Sequence, residues 1–213
     1  MIIGLVKFFV PIFLGFGVFG ILGLIFITIG EGSTWMKLWP LITGYFFPPL
    51  GKESIIPTGV LIFGLNPLLM AFSIAFVDMV VALFLVWNYD LAKKIPFVGK
   101  FMIKVEEKGK NVEQKYRLIK PLRFIGIVLF VMIPFQGSGG LVGSIVGRLI
   151  GMKPWNTFLA ITIGAVIGCL LIASFAHVFL IFAEINTWLT LALIAVIILI
   201  IVVYFVVKKR NKK

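Results

Sequence analysis

Phe130-Val131-Met132-Ile133-Pro134-Phe135-Gln136-Gly137-Ser138-Gly139-Gly140 decides how this chain is threaded, because it interrupts the middle of an uncharged run extending from 124 to 147. Pro134 removes a backbone donor and Gly137, Gly139 and Gly140 loosen the helix around it. About ten residues remain on either side of the break. As helix each arm spans roughly 15 Å, half of a hydrocarbon core about 30 Å thick. The run is long enough to cross a membrane and too broken in the middle to do so as one helix. It reads as a re-entrant hairpin over 121–151.

The rest of the chain supplies the membrane. Of its 213 residues, 61% are hydrophobic and 13% charged, whereas soluble domains carry about 25% charged residues. Uncharged runs also cover 8–30, 54–77, 154–176 and 185–207. Such a composition excludes soluble enzymes, secreted disulfide scaffolds and nucleic-acid binders. The net charge of +12 is no nucleic-acid footprint, because it is gathered beside the apolar spans. One basic cluster lies between Lys93 and Arg123, and another is the tail Lys208, Lys209, Arg210, Lys212 and Lys213. Both suit the cytoplasmic side and anionic lipid headgroups. If 124–147 crossed completely, the tail would end on the opposite side from the loop. With the run folded back as a hairpin, both basic segments and both termini are cytoplasmic.

The first half contains a similar object. A short arm from Leu38 to Phe47 ends at Pro48-Pro49-Leu50-Gly51-Lys52-Glu53, and a second arm from Ser54 stops at Leu65 before Asn66-Pro67. Pro48, Pro49, Pro57 and Pro134 are read as the residues that break the hairpins. Ile55-Ile56-Pro57-Thr58-Gly59 parallels Met132-Ile133-Pro134-Phe135-Gln136-Gly137, and Gly64-Leu65-Asn66-Pro67 parallels Gly151-Met152-Lys153-Pro154. A weak repeat in opposite orientations is a mark of inverted-repeat transporters; chance among Gly/Pro-rich apolar sequence is the other reading. The expected architecture is an all-α integral membrane protein with four full transmembrane helices and two re-entrant helical hairpins in an inverted repeat. It forms one polytopic domain, 1–213. Within it lie an N-terminal helix (1–37), a hairpin-plus-helix repeat (38–89), a basic cytoplasmic loop (90–120), a second repeat (121–176) and a C-terminal helix with its tail (177–213).

The stretches Gly51-Lys52-Glu53-Ser54-Ile55-Ile56-Pro57-Thr58-Gly59 and Phe130 to Gly140 resemble the small multi-drug export protein family, which is in turn similar to the DedA/VTT membrane proteins. The resemblance covers roughly 40–175 and implies a transporter with two opposed re-entrant hairpins. For DedA-like relatives it implies proton-coupled handling of anionic lipids such as polyprenyl phosphate. It also implies an acidic residue in the first hairpin, which Glu53 matches, and an arginine near the proline of the second. This chain has Phe135-Gln136-Gly137-Ser138 there instead.

Ionisable groups within a bilayer cost at least about 2.5–3.5 kcal/mol each near its centre and are functional candidates for that reason. Lys52 and Glu53 belong to the tip of the first hairpin, and Asp78 to the middle of the helix Leu68 to Tyr89. Desolvation disfavours the charged form of such carboxylates, so Glu53 and Asp78 are candidates for proton coupling. The structural alternatives are a Glu53–Lys52 pair, a Glu53 cap on the arm starting at Ser54, and a hydrogen bond from Asp78 to a facing helix. Gln136, Gly137, Ser138, Gly139 and Gly140 are candidates for substrate binding, since bare N–H groups at a helix N-terminus attract anions; tight hairpin packing explains the glycines equally well. Arg148 pairs with Asp78 or a substrate anion on one reading, and snorkels to the interface on another.

His177 closes its span on this reading, and Trp35, Trp39, Trp87, Trp155 and Trp188 lie near span ends, as interfacial anchors do. Cys169 is the one cysteine, which excludes an intramolecular disulfide. No spacing suggests a metal site, a cofactor or a catalytic residue. The expected function is a multi-pass cell-membrane transporter, proton-coupled, for an amphipathic or anionic lipid-like substrate such as a lipid phosphate. Its partners are membrane lipids, nucleic acid is excluded, and a homo-oligomer is compatible. A non-transporting assembly or lipid-organising protein and a membrane enzyme are the alternatives.

Overall fold

In the computed structural model of the chain, residues 2–45, 50–89, 119–135 and 138–185 are described, and everything below concerns those residues. They are mostly helical, without strands. α1 is Ile2–Thr28 and α2 is Gly32–Tyr45. α3, Lys52–Pro57, runs directly into a π-helical turn, Thr58–Ile62. α4 (Pro67–Trp87), α5 (Ile119–Met132), α6 (Gly140–Leu149) and α7 (Pro154–Ile185) follow. Three helices, Val6–Thr28, Pro67–Trp87 and Pro154–Ile185, are long and apolar enough to cross a membrane. The expected fourth span, 187–207, the basic tail after it and residues 90–118 of the basic loop lie outside the described residues.

Both turns into long helices share one chemistry. Gly64 and Gly151 have φ of +65° and +81°, the left-handed conformation that ends a helix and favours glycine. Pro67 and Pro154 then occupy the first position of α4 and α7, where a missing N–H costs nothing. Asn66 also caps α4, its side chain accepting from the amides of Leu68 at 2.9 Å and Leu69 at 3.3 Å.

Several boundaries differ from the sequence reading, each for a physical reason. Lys7 does not begin or end a helix, because lysine is a good helix former; α1 therefore starts well before residue 8. The first short arm begins at Gly32, not Leu38. α7 continues through His177 to Ile185, since neither His177 nor Glu184 breaks helix geometry. Pro57 corrects an expectation outright. It does not break the first hairpin but lies inside the arm, where α3 passes into the π-helical turn. The missing donor is absorbed by widening the coil, and Phe63 N–H bonds Thr58 O at 3.2 Å, five residues back. Pro134 does lie in a non-helical break, so the two prolines are not equivalent in place.

Contacts along the long helices fix their directions. Phe8 meets Phe84, Gly15 meets Val80 and Phe19 meets Phe76, so α1 and α4 run antiparallel. Trp87 packs edge-on to Trp155, which places the start of α7 at the end of α4. Asn88 donates to Lys7 O at 3.0 Å and the Arg148 guanidinium covers the Tyr89 ring at 4.9 Å, adding the start of α1 and the end of α6 to that same end. α2 and α3 open at the opposite end, where Lys37 donates to Phe63 O at 3.2 Å.

The core is made by α4 and α7, lined by Ala71, Ala75, Ala82, Ala160, Ala165 and Ala173, all buried. Small side chains allow the close backbone approach on which helix association in lipid depends. α5 lies along α7 with Gly164 under the Val128 carbonyl and Gly168 under that of Met132; a Cβ there would come within 2.6 and 2.7 Å of those oxygens. The outer faces carry large apolar side chains in the open, among them Phe13, Phe16 and Phe175, each at least 70% exposed. Such a surface is intolerable in water and ordinary in lipid.

Candidate functional site

Asp78 stands at the middle of α4, 2% exposed. Its Oδ1 accepts two hydrogen bonds, from Tyr45 Oη at 2.8 Å and from Gly140 N–H at 2.7 Å. Tyr45 is the last residue of α2 and Gly140 the first of α6. One carboxylate oxygen thus ties the inner end of one short pair of helices to that of the other. Oδ2 is buried and has no hydrogen-bond partner.

The local sequence explains why Asp78 is needed there. Gly139, the residue before α6, offers no side-chain cap, so the first N–H groups of the helix need an acceptor from elsewhere. Asp78 supplies one, and its negative charge suits the positive end of the α6 dipole. The other end of the break is served in the opposite sense. Lys52, 1% exposed, donates from Nζ to the carbonyl of Val131, the penultimate residue of α5. A cation thereby meets the carbonyl-rich end of α5 and an anion the amide-rich end of α6. The break between them is closed by Ser138, whose Oγ donates to Ile133 O at 2.7 Å and accepts from Phe135 N–H at 3.4 Å.

The glycines of the motif are used by the protein itself. A Cβ on Gly139 would stand 2.7 Å from Tyr45 Oη and 2.8 Å from Asp78 Oδ1. On Gly140 it would meet the Asp78 carbonyl, with Asp78 Cα at 3.0 Å. The α6 start therefore lies directly on the backbone of α4, and this approach is what requires glycine. Ser144 Oγ is turned back to Gly140 O within its own helix.

Glu53 lies in the first turn of α3, half-buried, its carboxylate folded back over Gly51. Glu53 Oε2 is buried without a hydrogen-bond partner. Glu53 interacts electrostatically with Tyr45, as Lys52 does with Asp78, and Cys169 on α7 faces both Asp78 and Lys52. The centre therefore gathers Tyr45, Lys52, Glu53, Asp78 and Cys169 from α2, α3, α4 and α7.

Of the residues expected at a site, Lys52, Asp78, Ser138, Gly139 and Gly140 are brought together here, with Glu53 at the edge. Gln136, Gly137, Pro48 and Pro49 lie outside the described residues. Arg148 is not at this centre. It sits eight residues beyond Gly140, about 12 Å along the helix, with its Nη1 donating to Met152 O at 2.7 Å and its plane over Tyr89. It closes the α6 C-terminus instead of pairing with Asp78, because a basic side chain in the last turn finds free carbonyls at hand. Two partners escape sequence reading, Tyr45 and the Val131 carbonyl. The position of Tyr45 just before Phe46-Phe47-Pro48-Pro49 was the available signal, since a buried tyrosine hydroxyl seeks an acceptor.

Beside this centre lies a cavity of about 600 Å³ between α1, α2, α4 and α6. Its lining includes Gly15, Phe16, Ile42, Val77, Val81 and Leu141. Its lining side chains with a polar atom are Thr43, whose hydroxyl is bonded to Trp39 O at 2.9 Å, and Trp39 through its indole N–H.

The sequence profile of the family described as "Putative small multi-drug export protein" matches residues 54–171, more than half of the chain, from the second arm of the first short pair through most of α7. No curated protein and no solved structure shows a significant match.

Proposed function

We propose, from the premise that this chain belongs to the small multi-drug export protein family, that it is a multi-pass membrane transporter coupled to protons through Asp78. The observation that carries this reading is the single buried carboxylate holding both short helix pairs, with Oδ1 doubly bonded and Oδ2 bare. Oδ2 is a place for one proton. Neutralising Asp78 weakens its hold on the α6 N-terminus and on Tyr45, because hydrogen bonds to a charged acceptor are roughly twice as strong as neutral ones. The tie between the two pairs loosens, and each is free to move with its long helix, as in transporters that rock about a midplane site.

In this reading the two pairs are re-entrant hairpins entering from opposite faces and meeting near mid-bilayer. Both termini and the basic loop are cytoplasmic in the cell membrane, and 187–207 forms a fourth span. The hairpins with α4 and α7 make an inverted repeat, supported by the matched Gly64/Pro67 and Gly151/Pro154 turns. Likeness to DedA/VTT proteins extends to this hairpin plan and not to a phosphate site. Phe135 follows Pro134, and the amide of Gly140 is already taken by Asp78.

Proteoliposomes containing a pH-sensitive dye test this reading with two amphiphiles of opposite charge, decyltrimethylammonium and decyl phosphate, each below its lytic concentration. One of them should produce protein-dependent proton flux. Asp78→Asn, which retains an acceptor and shape, should reduce that flux at least tenfold, with Glu53→Gln reducing it less because Glu53 is only half-buried. Proton flux with neither compound, or full flux in Asp78→Asn, contradicts proton coupling through Asp78.

A further inference from the structure

We propose that the carboxylate centre and the adjoining apolar cavity form one binding site for an amphipathic monocation, its charged group seated at Asp78 and its hydrocarbon part in the cavity. This deepens the transport reading by naming the substrate class, and rests on it for the role of Asp78.

Charge counting gives the first half. Among the described residues the centre holds two carboxylates, Asp78 and Glu53, and one ammonium, Lys52, with Tyr45 and Cys169 as the other titratable groups in electrostatic reach. The carboxylates outnumber the ammonium by one, and Asp78, 2% exposed, stands where charge is poorly screened. Each acid also has one oxygen, Asp78 Oδ2 and Glu53 Oε2, buried with no donor. One proton or one external cation restores neutrality. An anionic headgroup adds to the imbalance, and the helix N-terminus that would otherwise receive it is occupied by Asp78 Oδ1.

The cavity gives the second half. Apart from the Thr43 hydroxyl, which is bonded to Trp39 O, and the indole N–H of Trp39, its lining is aliphatic and aromatic, so its walls suit a hydrocarbon chain. At about 600 Å³ it falls in the range of small-molecule sites. Val77 and Leu141 line it, and each is the chain neighbour of a residue in the centre, Asp78 and Gly140. Tyr45, three residues beyond the lining residue Ile42 on α2, donates to Asp78 Oδ1. A molecule with its chain against Val77 and Leu141 has its head towards their neighbours Asp78 and Gly140.

Binding is measured in nanodiscs with the full chain, using tetramethylammonium, hexyl-, octyl- and decyltrimethylammonium, and decyl phosphate. The cations should bind with affinity rising about threefold to fourfold per added methylene, and decyl phosphate should bind at least tenfold more weakly than decyltrimethylammonium. On the acid side, cation affinity should fall towards about tenfold per pH unit, as competition with a single proton requires. Asp78→Asn should abolish both charge selection and pH dependence, whereas Val81→Phe should flatten the chain-length series and leave tetramethylammonium unaffected. The chain-length and pH series need no variant, so a misfolded mutant does not rescue the idea. Equal binding of decyl phosphate, or cation binding independent of pH, overturns it. If decyl phosphate drives proton flux and the cations do not bind, the transporter stands and the cation site falls. If the cations bind as described and no compound drives flux, the site stands and transport falls.

Discussion

Lys52→Met should lower the stability of the protein in micelles by about 3–5 kcal/mol, the range for leaving a buried charge without its partner. Methionine matches the volume and apolar stem of lysine, so packing around α3 is preserved. What is lost is the ammonium that serves the Val131 carbonyl and faces Asp78. The carboxylates then remain in the interior without a compensating charge. A double-mutant cycle separates these effects: Lys52→Met with Asp78→Asn should be more stable than Lys52→Met alone, because the stranded charge has also been removed. Losses that simply add would show that Lys52 and Asp78 are independent.

The second large effect belongs to Gly140. Gly140→Ala places a methyl group against the Asp78 carbonyl and Cα, atoms held by α4 that have no side-chain freedom with which to yield. α6 must lift off α4, at a cost of about 1–3 kcal/mol for overpacking, and its N–H draws away from Asp78 Oδ1. Loss of stability should therefore be accompanied by loss of proton coupling. Gly17→Ala is the internal control. It lies in α1 with nothing within 4 Å of the added methyl, and helix propensity alone predicts a gain of roughly 0.5–1 kcal/mol. Equal effects at the two positions would mean that the contact between α6 and α4 does not constrain position 140. Unfolding monitored by tryptophan fluorescence reads both.

Much of this arrangement is legible in the sequence because backbone chemistry is local. Pro134 among glycines announces a break, and Gly64 with Pro67, like Gly151 with Pro154, announces a turn into a long helix. The intramembrane position of Asp78 marks it as costly, and hence as a candidate. What the sequence hides is pairing across space. Nothing local to Tyr45 or Val131 says that one meets Asp78 and the other Lys52, since those partners are 33 and 79 residues away. Arg148 misleads for the same reason: its charge is visible, while its partners, Met152 O and the Tyr89 ring, are set by how the chain turns after α6. Pro57 misleads differently. Proline usually ends a helix, yet a π-helical turn accommodates it here, and no residue pattern around it distinguishes the two outcomes. The glycines at 139 and 140 read equally as ligand approach or as close packing, and only the contacts with Tyr45 and Asp78 decide between them.

Infrared difference spectroscopy of the protein in lipid, recorded as the pH is lowered, tests the proton-binding role of Asp78 most directly. Uptake of one proton at Oδ2 should produce a carboxylic-acid carbonyl band typical of a buried, dry site, and that band should be missing from Asp78→Asn and retained in Glu53→Gln. The same band in Asp78→Asn, or none in the unaltered chain over the range in which proton flux occurs, would contradict it.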